Sequence, residues 1–558
     1  MYKKKPLISL VLLSVLCFSC KQTPEKPEQT VITNVNGYTF YNGALEEFSS
    51  IAFSDGKVVD VYSDTSFETS SNTKVIDGKG RTMLPGLIDA HAHVMGLGFK
   101  QMNADVTGKE SVEATLQKVE SYAAQYPDIE WIEGRGWNQT HWDIGRFPTA
   151  EELDGAVKER PVWLMRVDGH AGWANSKAME LAGITAETED PEGGKIIRDE
   201  EGNPTGVFID GATDLISSKI SDPSKKEQMM AFRKALQQMR SHGLTGVHDA
   251  GIGAAYWQLY KHFADNDSLT TRIYAMIKGT GTTFDSLAQK GPVKSYDHDM
   301  LALRSVKLWA DGALGSRGAA MLAPYSDDPD NKGLLLLNEE KLTAKILKAA
   351  SSGFQTNVHA IGDRANRVVL NAFSNVKDSL GEQGLRNRIE HAQIVSPEDI
   401  PRFKEMNIIA SMQPTHATSD MNMAEDRIGA KRMEGAYAWQ TFLQQGTVVA
   451  SGSDFPVEHV DPFFGLYSAV TRQDHHGNPE GGWYPEQRMS RAEALRSFTL
   501  SAAYAAHREE VLGSLEPGKW ADFIIIDRDY FNVKSADIWQ TEVLETWVGG
   551  QKVYEAQD

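Results

Sequence analysis

Between residues 84 and 505 the apolar positions follow two alternating patterns. Short apolar runs with strand-like composition are separated by stretches whose apolar residues recur every three or four positions. The strand-like runs are 84–93, 162–167, 246–249, 306–310, 355–359, 388–391, 408–412 and 448–451. Among the helical stretches, 226–242 carries Met229, Met230, Phe232, Leu236 and Met239 at near-helical spacing, and 339–351 and 491–506 behave similarly. This alternation predicts an α/β chain, a parallel sheet with helical crossovers. Eight such strands close a barrel, whose catalytic residues sit at the C-terminal strand ends. Runs at 131–134 and 272–277 also read as strands, so the eight are chosen partly by the chemistry at their ends.

The two ends of the chain differ from this middle. Runs at 31–34, 50–53, 57–62 and 75–77, and again at 522–527, 543–548 and 552–554, are β-prone and broken by Gly and Asp. They predict one small β-sandwich domain built from residues 31–83 together with 506–558, flanking a barrel with insertions at 84–505.

Residues 1–20 read as an export segment. Lys3-Lys4-Lys5 precedes an apolar stretch from Leu7 to Phe18 that is too short to span a bilayer comfortably. It ends at Phe18-Ser19-Cys20, which resembles a bacterial lipoprotein cleavage site, although Cys17 stands where Leu is usual. That resemblance implies a lipid on Cys20 and a periplasmic or cell-surface protein anchored to a bacterial membrane; an ordinary cleaved signal is the alternative. With only two cysteines in the chain, a protein lipidated at Cys20 keeps no other thiol, hence no disulfide and no cysteine-ligated metal. Residues 21–30 are polar, Pro-bearing and tether-like. A net charge of −19 argues against a nucleic-acid partner, leaving contact with a membrane only through the lipid. A homo-oligomer is compatible with all of this.

The chemistry starts at Leu84-Pro85-Gly86-Leu87-Ile88-Asp89-Ala90-His91-Ala92-His93. Residues two apart on a strand share a face, so His91 and His93 present two imidazoles to one ion. Four later apolar runs carry a further metal-capable residue: Lys307, His359, His391 and Asp454, all but Lys307 at or near the strand end. A lysine inside an apolar strand must be paired or neutralised. Lys307 either pairs with Asp311 or another acid, or adds carbon dioxide to become an anionic lysine carbamate able to bridge two metals. Imidazole and carboxylate suit Zn, with Fe, Mn, Co or Ni also compatible. Two metals about 3.5–4 Å apart can share a bridging hydroxide that is nucleophilic at neutral pH. Asp454 would then carry the proton from the nucleophile to the leaving nitrogen. Aromatic and glycine-bearing stretches at 131–160 and 313–337 read as pocket walls. There Trp137 either packs an apolar substrate group or is buried in the insertion. Asp311 is a candidate substrate-binding residue, read first as orienting a ligand.

These motifs, together with Gly134-Arg135-Gly136-Trp137, Arg166-Val167-Asp168-Gly169-His170, His359-Ala360-Ile361-Gly362-Asp363, Glu390-His391, Ser451-Gly452-Ser453-Asp454 and the closing 513–522 segment, resemble the amidohydrolase superfamily. Within it they resemble the amidohydrolase-3 or YtcJ-like branch that includes N-substituted formamide deformylase, over about residues 31–554. The resemblance implies a distorted TIM-like (β/α)8 barrel with a β-sandwich. It implies one metal on His91, His93 and Asp454, a second on His359 and His391, and carboxylated Lys307 between them; with a single metal Lys307 stays an amine. His170 would polarise the substrate carbonyl. The activity implied is hydrolysis of non-peptide C–N bonds, of N-substituted linear amides, by metal-activated hydroxide. The alternatives are hydrolysis of a cyclic amide, carbamate or ester on the same site, or a catalytically silent surface-anchored binding lipoprotein.

Overall fold

The computed structural model describes Met1 and residues 29–64, 72–139, 142–167, 169, 171–191, 194–315 and 317–557. The export segment from residue 2 to 20, with Cys20, and nearly all of the tether at 21–30 lie outside the described residues. Among the described residues no helix is long and apolar enough to cross a membrane.

Eight parallel strands form the centre: β1 (Leu87–Ala92), β2 (Leu244–Ile252), β3 (Arg272–Lys278), β4 (Leu301–Trp309), β5 (Gln355–Ala360), β6 (Arg388–His391), β7 (Ile409–Met412) and β8 (Val449–Ser451). Each pairs in parallel with the next. All residues of β1, β6 and β7 are buried, which is why these strands read as unbroken runs rather than as alternating ones. The seam between β8 and β1 is closed just beyond the strands. The Asp454 N–H donates to the His91 carbonyl at 2.7 Å, and the His93 N–H to the Phe455 carbonyl at 2.8 Å. The buried Asp89 carboxyl locks the same seam by accepting the Ser453 hydroxyl at 2.7 Å and the Ser453 N–H at 3.0 Å. Gly452 permits this approach: a Cβ there would lie 2.4 Å from Asp89 Oδ1 and 2.6 Å from the His91 nitrogen. Gly452→Ala is therefore expected to push β8 off β1 and cost about 1–3 kcal/mol of stability. The urea midpoint measures it, and an unchanged midpoint would show that the seam yields freely.

The run at 162–167, expected as a barrel strand, is not one. Val162–Arg166 belongs to a six-stranded mixed sheet in the order Gly194–Arg198, Pro204–Asp210, Ala171–Ala174, Val162–Arg166, Ile132–Trp137, Ala104–Asp105. This insertion has its own core, with Val162 and Leu164 packed among Trp137, Trp142 and Trp173 on one face, and Trp163 with Phe208 on the other. The vacant barrel place is filled by β3, the surplus run at 272–277. A local apolar pattern makes a strand in either place, and long-range packing decides which sheet takes it.

Helix Lys225–Ser241 starts at a capping box between Ser224 and Glu227 and buries Ala231, Phe232, Ala235, Leu236 and Met239. Met230, counted in the predicted stripe, falls outside that face and is 42% exposed. The stretch at 491–506 forms two short helices, Arg491–Ser497 and Leu500–Ala505, rather than one. The chain ends build one eight-stranded sheet. Gln29–Tyr41 pairs in parallel with Thr73–Pro85, which pairs antiparallel with Phe523–Ile526. The sheet folds over its own core, bringing the Phe53 ring 5.9 Å from Phe523 and 6.0 Å from Trp547. It docks on the barrel through a buried bidentate pair, Arg272 of β3 with Asp522, at 2.6 and 2.9 Å.

Candidate metal centre and active site

Strand alternation turns His91 and His93 toward one opening at the end of β1. Their rings stand 5.7 Å apart and nearly perpendicular. His91 is fully buried; the His93 side chain is 37% exposed. Asp454, three residues beyond β8, faces both: its Oδ1 lies 3.1 Å from His93 Nε2 and 3.6 Å from His91 Nε2. One donor atom from each of the three lies within 4.8 Å of the others. Lys307, buried on β4, brings its Nζ to 3.0 Å from His91 Nε2. His359 and His391, from the ends of β5 and β6, complete the ring: His391 lies 4.6 Å from His359 and 4.8 Å from His91, centroid to centroid. The six residues read from five separate segments therefore meet in one place. Two of them hold left-handed backbone conformations, His391 at φ 73 and Asp454 at φ 61. Such strain in residues with a Cβ is kept where geometry matters.

The protonation pattern is that of a cation site. Burial and the neighbouring lysine push His91 down to about 4 and His359 to about 3, and burial with the surrounding imidazoles holds His391 well below the usual imidazole range. All three are neutral at pH 7, the form that can ligate. Burial alone would raise the Asp454 carboxyl, but the His93 contact and the nearby imidazoles outweigh it and hold the group well below the usual range. Burial pushes the Lys307 amine down to about 8, so a useful fraction is unprotonated near neutral pH. The buried Nε2 of His359 has no hydrogen-bond partner among the described residues. Neutral imidazoles and an anionic carboxylate whose donor atoms converge at one opening fit a divalent metal.

The supporting contacts were not legible in advance. His91 Nδ1 donates to Glu390 Oε2 at 2.5 Å and His391 Nδ1 to Gln413 Oε1 at 2.7 Å, which leaves each Nε2 with its lone pair free for a metal. Glu390 is in turn held by Arg388, and both are fully buried in β6. Burial alone would raise the Glu390 carboxyl, yet Arg388 and His91 keep it well below the normal range. His416, on the helix Pro414–Asp420 that follows β7, stands with its Nε2 3.9 Å from Asp454 Oδ2 and its ring 5.8 Å from His391. Its buried Nε2 has no hydrogen-bond partner among the described residues. Gln413-Pro414-Thr415-His416 directly follows an apolar run, the same signal that marked His359 and His391, and would have exposed it.

Two expected substrate contacts are placed elsewhere. Trp137 is fully buried in the insertion core, its Nε1 donating to the Leu164 carbonyl at 2.7 Å, so packing rather than substrate explains it. Asp311 is buried beneath the site and accepts N–H groups from Ala320, Ile361 and Gly362 at 2.9, 3.0 and 2.8 Å. It ties the loop after β4 to the end of β5, and its Oδ1 stands 3.5 Å from His359 Nε2. Asp168 and His170 lie outside the described residues.

The described family model "Amidohydrolase family" matches residues 74–554. The chain is 33% identical to Protein LONG AFTER FAR-RED 3 of Arabidopsis thaliana, over 98% of this chain and 95% of that one. It is 27% identical to N-substituted formamide deformylase of Arthrobacter pascens, over 91% and 95% respectively. Among solved structures it superposes on an uncharacterized metal-dependent hydrolase from Pyrococcus horikoshii OT3 with a TM-score of 0.76 and 27% identity, covering 91% of this chain and 99% of that one. With its nearly closed eight-stranded barrel, its His-x-His strand end and a family match across most of its length, the chain belongs to the amidohydrolase family.

Proposed function

We propose that the protein hydrolyses the C–N bond of N-substituted linear amides. The observation that carries this is the meeting of His91, His93, Lys307, His359, His391 and Asp454 at the C-terminal mouth of the barrel. His91, His93 and Asp454 would hold one divalent metal, most simply Zn, and His359 with His391 a second. Lys307 would join them as a carbamate: its neutral amine adds to carbon dioxide and loses a proton. A bound metal supplies a water acidified to near neutrality and a Lewis acid for the carbonyl oxygen. Asp454, anionic and facing the opening, accepts the proton from the attacking water and delivers it to the leaving nitrogen, so that an amine departs. His170 polarises the carbonyl in this reading. Apolar side chains near the mouth support a substrate with an apolar group: Val457, three residues past Asp454, is 63% exposed, and Leu334 and Leu336, on the loop after β4, are 63% and 54% exposed.

His416 adds a buried ring nitrogen that has no hydrogen-bond partner among the described residues. His416→Ala is expected to lower kcat by about 10²–10³-fold, the effect of removing a hydrogen bond to the developing oxyanion. Metal content separates the roles, since loss of an ion in that variant would make His416 a ligand instead.

The test of the function is a panel on full-length protein with Zn restored: N-substituted formamides and longer linear amides against lactams, carbamates and esters. Amine release from linear amides, lost with a chelator and recovered with Zn, is expected. Preference for a cyclic amide, carbamate or ester would move the assignment to that class, and bound metal without turnover would leave a binding protein. We also propose export and lipidation at Cys20; labelled palmitate should enter the wild type and not Cys20→Ser, and equal labelling would refute it.

A further inference from the structure

A second convergence of metal-capable side chains lies apart from the barrel mouth. His242 caps the C-terminal end of helix Lys225–Ser241. His459 and Asp461 lie on the segment that leads from Asp454 into helix Pro462–Thr471, where Asp461 is the N-cap. These elements are far apart in sequence and meet only through the fold. One donor atom from each of the three residues lies within 4.8 Å of the others, the spacing also found for His91, His93 and Asp454.

Local contacts leave donor atoms available. His242 Nδ1 donates to the Gln238 carbonyl at 2.8 Å, which leaves its Nε2 with the lone pair. Asp461 spends Oδ1 on the Phe463 N–H at 2.9 Å, leaving Oδ2. The His459 ring is held in place by stacking on Phe464 at 4.7 Å and stands 5.7 Å from the His242 ring, nearly perpendicular to it. Its Nδ1 accepts the Asp461 N–H at 3.2 Å, so an ion taken by Nδ1 displaces that contact, and one taken by Nε2 moves the ring proton to Nδ1 and breaks it.

We propose that His242, His459 and Asp461 form a non-catalytic transition-metal site that clips the segment carrying Asp454 to the end of helix Lys225–Ser241. Two imidazoles and one carboxylate are a donor set for Zn²⁺, with the exposed His459 side leaving room for water as a fourth ligand. The hydrolytic site does not depend on this ion for its own ligands, so the two sites can be emptied separately.

The experiment compares full-length wild type with His459→Ala, His242→Ala and His459→Cys after dialysis against Zn²⁺ buffered in the micromolar range, and reads ions per chain by mass spectrometry. Each Ala variant is expected to hold one ion fewer than wild type, and Zn²⁺ should raise the melting temperature of the wild type more than that of either variant. Because His459 is exposed, its replacement leaves the core untouched, and circular dichroism checks that the variants fold. His459→Cys keeps a ligand, so Co²⁺ should bind it with a thiolate charge-transfer band beyond any that Cys17 and Cys20 give in the wild type. Equal ion counts in wild type and both Ala variants, or no such band in the Cys variant, would overturn the site.

Discussion

Asp454→Asn reduces turnover to background, by at least about 10⁴-fold, while the protein still binds metal. The change keeps the side chain's size but removes the charge that His93, at 3.1 Å, and His91, at 3.6 Å, both face. An amide oxygen can still ligate, and the four histidines remain, so metal content measured on the purified variant should fall little. It cannot take a proton from water at neutral pH, which the carboxylate does because the surrounding imidazoles hold it ionised. Single-turnover rates with the amide substrate measure the effect. A variant working near the wild-type rate would remove Asp454 from proton transfer.

Arg388→Met costs about 3–5 kcal/mol of folding stability, the loss expected when one partner of a buried ion pair is removed. Arg388 is fully buried, its guanidinium 2.8 Å from Glu390 and donating to the Ala90 carbonyl and the Ser411 hydroxyl at 2.5 and 3.0 Å. Without it Glu390 keeps a charge in the interior with His91 as its main partner. Either the carboxyl takes a proton and releases its hold on His91, or the barrel loosens around it. Glu390→Gln alone should weaken metal binding by about 10–100-fold, because the Glu390 carboxylate sets the His91 ring and tautomer. In the double variant the stability losses of the two changes should not add, since each removes the Arg388–Glu390 contact. Urea unfolding of all four proteins gives the coupling. An Arg388→Met protein as stable as wild type would show that the pair is not needed to hold β6 in place.

The barrel and the cluster of metal-capable residues at its mouth were legible because both are written locally. An apolar run long enough for a buried strand, ending in a residue that can bind metal, needs no knowledge of distant contacts, and it located His91, His93, His359 and His391. Asp454 was visible because small residues before it advertised a close backbone approach, and Gly452 does touch the Asp89 and His91 region. The pairing of the two chain ends was readable from shared β character. The residues that tune the site were hidden for the opposite reason. Arg388 and Glu390 gain their supporting contacts only once β6 is set against β1 and β7, and Gln413 only once its oxygen meets the His391 ring.

Sequence by itself determined the class of chain, the strand-end chemistry and the family likeness, since periodicity and residue type are local properties. Only the tertiary structure decided which of the surplus strands joins the barrel. Val162–Arg166 and β3 are equally apolar, and the choice lies in whether their side chains meet the Trp137–Trp173 core or the barrel wall. It likewise decided that Trp137 is core, that Asp311 spends its oxygens on backbone N–H groups, and that His242 meets His459 and Asp461. Each of these depends on which distant segments pack together, and contacts between residues far apart in the chain leave no period or motif along it.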